Sequence, residues 1–137
     1  MLFLISGMLG SNQSLYIKHI IKDAFYNRGY DIAMISFRGM SGAKLVSPMI
    51  HNAMSINDIK EPMNYVHEKY CKPFNRQSYA IGCSMGAKML SNLLGTEKEN
   101  SVLSGATCVQ AAIKKWEGLE YFQNSLGGVY NRALGKY

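Results

Sequence analysis

The chain has 137 residues, 47% of them hydrophobic, with 15 Lys and Arg against 9 Asp and Glu and a formal charge of +6. One domain with a core of its own is the expectation at this length, and the apolar content excludes a disordered chain. No apolar run reaches the roughly 20 residues that span a bilayer. The basic residues are scattered as singles and pairs such as Lys114 and Lys115, which argues against nucleic-acid binding.

Met1 to Ser6 is an apolar run closed by Gly7, which suits a strand buried on both faces. It lacks the positive start and small-residue cleavage site of a signal peptide, so an intracellular, cytoplasmic protein is expected. Gly7-Met8-Leu9-Gly10-Ser11 reads as a turn. A helical stripe follows from about Asn12 to Arg28, with Leu15, Ile17, Ile20, Ile21, Ala24 and Phe25 on one side and Gly29 as its stop. Tyr30 to Phe37 is a second strand. The stretch from Arg38 to about Ile56, with Gly39, Gly42, Pro48 and His51, is too long for a plain connection and reads as a functional or mobile loop.

Asn57 or Asp58 caps a second helix that reaches about Tyr70, with Ile59, Met63, Val66 and Tyr70 on one face; Pro62 fits its first turn if Asp58 is the cap and would kink it if Ser55 is. Ser78 to Cys83 is a third strand, Met85 to Leu94 a third helix stopped by Gly95, and Val102 to about Ala111 a fourth strand. From Ile113 two short amphipathic helices are expected, broken at Gly127-Gly128 and anchored by Trp116, Leu119, Phe122, Val129, Tyr130 and Leu134. Strands alternating with helices make an α/β domain, residues 1–137, with about four parallel strands and helices on both faces. Three cysteines (Cys71, Cys83, Cys108) without metal spacing give neither a disulfide framework nor a zinc site.

The chemistry gathers at Gly82-Cys83-Ser84-Met85-Gly86, where the third strand meets the third helix. A sharp strand-to-helix turn there is a nucleophile elbow, which strains the serine backbone and lifts its hydroxyl above the sheet. Small residues at Gly82 and Gly86 let helix and strands approach. The N–H of Met85, at the positive end of the helix, faces the place where an oxyanion would form. The second donor of such a hole comes from a loop after an earlier strand, which makes the N–H of Met8 the candidate. A tight turn carrying an inert serine is the plainer reading of the same residues.

In these stretches the chain resembles the alpha/beta-hydrolase superfamily, in particular the abhydrolase-domain branch with the yeast medium-chain ester synthase/esterases and their plant and bacterial relatives. The carrying residues are Gly7 to Ser11 with Ser14 to His19, Phe37 to Gly42, His51 with Asp58, Gly82 to Gly86, and Tyr130-Asn131-Arg132. The resemblance implies a minimal hydrolase core without cap or lid. It also implies cleavage of short- to medium-chain acyl esters through Ser84, with no metal or organic cofactor.

Members of the superfamily bring an acid and then a histidine after the serine, but no His or Asp follows Ser84 here. Three outcomes stand open. His51, in a loop at the C-terminal edge of the sheet where ligands bind, serves as base with Asp58 orienting it, His19 and His67 being surface residues. Alternatively a homo-oligomer completes the site or covers the sheet edge. Or the chain is a remnant that binds acyl ligands or a partner without turnover.

Overall fold

The four apolar runs become four short parallel strands: β1 (Leu2–Ile5), β2 (Ile32–Ile35), β3 (Tyr79–Cys83) and β4 (Gly105–Val109), in the order β2-β1-β3-β4. The computed structural model describes residues 1–113 and, beyond them, residues 118, 120, 121, 123, 128, 129 and 132. Between the strands run α1 (Leu15–Lys22), α2 (Asn57–Val66) and α3 (Met85–Glu97). The first two continue into a single π turn each, Asp23–Asn27 and His67–Cys71.

Right-handed crossovers decide where these helices go. β1 to β2 steps one way along the sheet, while β2 to β3 and β3 to β4 step the other way. One hand with two directions puts α1 on one face and both α2 and α3 on the other. Alternation along β1 records the result. Phe3 and Ile5 pack with Ile59 and Met63 of α2 and with Met89, Leu90 and Leu93 of α3. Leu2 and Leu4 face α1, with Ala24, Ile20 and Ile21. β1 is buried along its whole length, as a central strand covered on both faces must be. The direction reverses between β1 and β3, so the loops leaving those two strands diverge to opposite faces. Such a reversal, at the C-terminal edge, is the place where open α/β sheets take ligands.

Several local expectations shift. Leu15 and Phe25 were expected to face inward but are 69% and 50% exposed. Ser14 is the N-cap of α1, so the helix starts later than the periodicity predicts, and the π turn rotates its last residues. The π turn after α2 acts likewise, burying Cys71 and leaving Tyr70 44% exposed. Neither Asn57 nor Asp58 caps α2, whose cap is Ile56 without a side-chain bond. Gly95 does not stop α3, which runs on to Glu97. There Lys60 Nζ holds the Glu97 carboxylate at 2.7 Å, and Lys98, at φ +50°, ends the helix instead. The two helices expected after Ile113 fall largely outside the described residues, and Val129, an expected anchor, is exposed.

Candidate active site

Each of the four strands leaves the sheet at its C-terminal end through a turn that contains a non-glycine residue at positive φ: Leu9 (58°), Ser41 (55°), Ser84 (51°) and Gln110 (54°). L-residues avoid this region, and such strain gathers where surrounding structure fixes a functional geometry. Ser84 has φ 51° and ψ −113°, stands between β3 and α3, and is exposed to solvent. Its N–H donates to the Val109 carbonyl at 2.8 Å and its carbonyl accepts from Lys88 N–H at 3.0 Å, so β4 on one side and α3 on the other pin the strained backbone.

The flanking glycines are there for want of space. A Cβ on Gly86 would lie 2.4 Å from the Ser6 carbonyl oxygen and 2.6 Å from that of Ile5. One on Gly82 would lie 2.7 Å from the Gly86 carbonyl oxygen and 2.8 Å from Ala87 Cα. The helix start therefore presses directly onto β3 and the end of β1, and only hydrogen fits between them. As N1 of α3, Met85 has a backbone N–H with no partner inside the helix. The loop after β1 closes the site from the other side: a Cβ on Gly7 would lie 3.2 Å from Ser84 Cβ and 3.7 Å from Ser84 Oγ. Ser84, the α3 N-terminus and Gly7 of the turn after β1 thus lie side by side. The arrangement places an exposed hydroxyl beside the N-terminus of α3 and the Gly7 backbone.

His51 and Asp58 fare differently. The His51 ring stacks on Phe37 with centroids 5.4 Å apart and planes at 18°. Both His51 and Asp58 line a cavity of about 590 Å³ between the end of β2 and the start of α2. The expected bond between them is replaced: the Asp58 carboxylate accepts from Arg38, from Nε at 2.9 Å and from a terminal guanidinium nitrogen. The Asp58 side chain is 6% exposed, and a carboxylate so far out of water needs a cation more than it needs a neutral imidazole. Among the described residues neither Ser84 Oγ nor the His51 ring makes a hydrogen bond. Sequence reasoning gave Arg38 no role, although the only arginine at the exit of the second strand was a signal for the aspartate that opens the next helix.

The other histidines lie elsewhere. His67 is no plain surface residue: its Nδ1 pairs with the fully buried Ser78 Oγ at 2.9 Å, before β3 begins and hence at the edge opposite Ser84. His19, on the exposed side of α1, borders a cavity of about 700 Å³ over the α1 face of β3 and β4, lined by Leu2, Tyr79, Ile81 and Gly105 and distant from the serine edge. Burial raises the thiol pKa of Cys83 beside the serine and of Cys108, which keeps them protonated and weakly nucleophilic. Met40 and Met85 pack on the core and Met8 is half exposed. Among the described residues no cluster of His, Cys, Asp and Glu suits a metal ion, and no helix is long and apolar enough to cross a membrane.

The fold is similar to that of a Pyrococcus furiosus esterase, Pf2001, which superposes on 95% of this chain with a TM-score of 0.68 at 19% identity. The fold is that of an alpha/beta hydrolase. Its curated homologues include a monoacylglycerol lipase of Saccharomyces cerevisiae, 26% identical over 98% of this chain. Another is the medium-chain fatty acid ethyl ester synthase/esterase 2 of the same yeast, 30% identical over 75% of it. No family model matches the chain. The alignments span 30% and 22% of those two relatives and 50% of the Pyrococcus chain, so this hydrolase-fold core is a fraction of each.

Proposed function

We propose that the chain cleaves carboxylic esters of short- to medium-chain acyl groups, with Ser84 as nucleophile. The observation that carries this reading is Ser84 itself: an exposed serine at φ 51°, pinned by β4 and α3, with the Gly7 backbone against it. Ser84 Oγ attacks the acyl carbon and the C–O bond to Ser84 forms. The oxyanion takes hydrogen bonds from the N–H groups of Met8 and Met85. As the tetrahedral species collapses, the bond to the leaving alkoxide breaks. His51 takes the serine proton and returns it to the alcohol, and water then releases the acid by the same steps in reverse. His51 suits this role because it is carried on a C-terminal edge loop and its ring nitrogens are uncommitted among the described residues. Asp58, tied to Arg38, holds the floor of the His51 cavity in place.

Turnover of a chromogenic butyrate ester by wild type, Ser84→Ala and His51→Ala tests the scheme. Both substitutions should lower kcat by about 10³-fold or more. Activity surviving Ser84→Ala would refute the nucleophile, and activity surviving His51→Ala alone would refute the base. A second reading, an acyl-ligand-binding core without turnover, is favoured by the lack of a base bonded to Ser84 among the described residues. It predicts saturable binding of the ester by wild type with no release of alcohol.

A further inference from the structure

The turn that supplies the Met8 donor is itself held by a side chain to which nothing so far gives a role. Gly7 N–H donates to the Tyr16 phenol oxygen at 3.1 Å. Gly10 N–H donates to the Gly7 carbonyl at 3.0 Å. Ser6, 1% exposed, donates its hydroxyl to the Gly10 carbonyl at 3.1 Å. Of the amides in the turn, those of Met8 and Leu9 have no acceptor among the described residues. The phenol sits in the curve of the turn: a Cβ on Gly10 would lie 3.0 Å from Tyr16 Oη and 2.8 Å from Ser6 Cβ. Tyr16 stands in the first turn of α1, and the loop is tied to the cap of that helix by Ser11 N–H donating to Ser14 Oγ at 3.0 Å. The phenol is therefore referenced to a helix rather than to another loop.

We propose that Tyr16 is a positioning residue of the oxyanion hole: by accepting the Gly7 amide it fixes the Gly7–Gly10 turn and leaves the Met8 amide as the donor for substrate. The proposal rests on Ser84 being the nucleophile. Gly7 is the link, because its Cα is the part of the turn that faces the Ser84 side chain. Any rotation of the Gly7 peptide shifts the Met8 N–H, and displacement of a preorganised donor is costly in a transition state where charge develops.

An alkyl fluorophosphonate and ¹⁵N-labelled protein test this. Ser84 Oγ forms a bond to phosphorus, the P–F bond breaks, fluoride leaves and the hydroxyl proton passes to solvent, giving an adduct counted by mass. Tyr16→Phe keeps the ring and removes the acceptor. Its maximal labelling rate per folded molecule should fall about tenfold, while the half-saturating probe concentration stays at the wild-type value. In wild type the Met8 amide proton should move downfield on labelling and that of Gly7 should not. In Tyr16→Phe the Gly7 amide should already have moved before any probe is added. Equal rates per folded molecule in labelled wild type and Tyr16→Phe would overturn the role of Tyr16 alone, as would the Gly7 amide moving on labelling. Wild type that takes no label at Ser84 would overturn the nucleophile, and Tyr16's role with it.

Discussion

Two serines flank β3, one at each end, and they have opposite fates. Ser78, at the N-terminal edge, is fully buried and hydrogen-bonded to His67. Ser84, at the C-terminal edge, is exposed, strained at φ 51° and free of hydrogen bonds from its hydroxyl among the described residues. A serine beside a histidine reads as a catalytic pair on paper, yet here that pair is the structural one. The N-terminal edge is built from satisfied polar partners: Arg76 holds Asp31 at 2.6 Å and Ser104 N–H reaches the Ser78 carbonyl at 2.7 Å. The C-terminal edge is built from left-handed turns and, around Ser84, from glycines without room for a methyl. Left-handed residues occur at both edges, Asn75 and Lys98 lying before β3 and β4, so the contrast is between a strained serine whose hydroxyl has no partner among the described residues and a buried serine whose hydroxyl has one.

The largest test of that contrast is Gly86→Ala. Its Cβ would meet backbone oxygens of Ser6 and Ile5 at 2.4 and 2.6 Å, and backbone cannot swing aside as a side-chain tip can. The expected loss is about 3 kcal/mol, at the upper end for overpacking, measured as a fall in the urea midpoint at constant slope. Gly29, at the other edge, is the control. It has φ +66° and nothing within 4 Å of a Cβ, so Gly29→Ala should lose only about 1 kcal/mol, from backbone conformation alone. Equal losses would mean that the helix start is not wedged against β1.

His67→Ala comes next. It leaves the buried Ser78 hydroxyl without its partner, which costs about 1–3 kcal/mol. Ser78→Ala in the same chain should recover part of the loss, because the stranded polar group is then gone. The double-mutant cycle should therefore show coupling between the two sites. Ester turnover per folded molecule should match wild type in all three variants. A fall in kcat with the fold intact would place His67 in the chemistry and erase the distinction between the two edges.

Much of the C-terminal edge was legible in the sequence, and the reason is local. Gly82 to Gly86 between an apolar run and a helical stripe specifies its turn by steric need, and neighbours in sequence supply most of the atoms involved. The parallel topology followed from strand–helix alternation, and with it the placing of His51 on the edge where Ser84 emerges. What stayed hidden depends on partners far along the chain. The two π turns rotate helix ends by amounts set by packing, so Phe25 and Tyr70 moved outward against their periodicity, while Leu15 is the exposed first residue of a helix that starts later than the periodicity predicts. Gly95 reads as a stop until Lys60, 37 residues away, ties down Glu97. Asp58 reads as a cap or a histidine partner until Arg38, 20 residues earlier, claims it. Tyr16 reads as one more residue of a helix face, because a phenol accepting from a glycine amide nine residues back leaves no periodic trace.

The smallest expected effect is also the most discriminating. Ser84→Gly removes the hydroxyl and at the same time lets the backbone hold φ 51° and ψ −113° without a Cβ. Relief of a strained residue is worth roughly 1–3 kcal/mol, and the extra freedom of glycine in the unfolded chain returns part of it. A net gain of about 1 kcal/mol in the urea-derived stability is expected. Ser84→Ala, which keeps the Cβ, should remain near wild type. Ser78→Gly should lose stability, since Ser78 carries no positive φ and gives up a buried hydrogen bond. A stabilised but inactive Ser84→Gly beside an unstabilised, inactive Ser84→Ala would separate the two demands made at one position. The backbone geometry that presents the hydroxyl is held at the expense of the fold, and the neighbours Val109, Lys88 and Gly7 are what hold it. If instead Ser84→Gly were no more stable than Ser84→Ala, the left-handed serine would be an unstrained turn residue. The contrast between the two ends of β3 would then reduce to exposure.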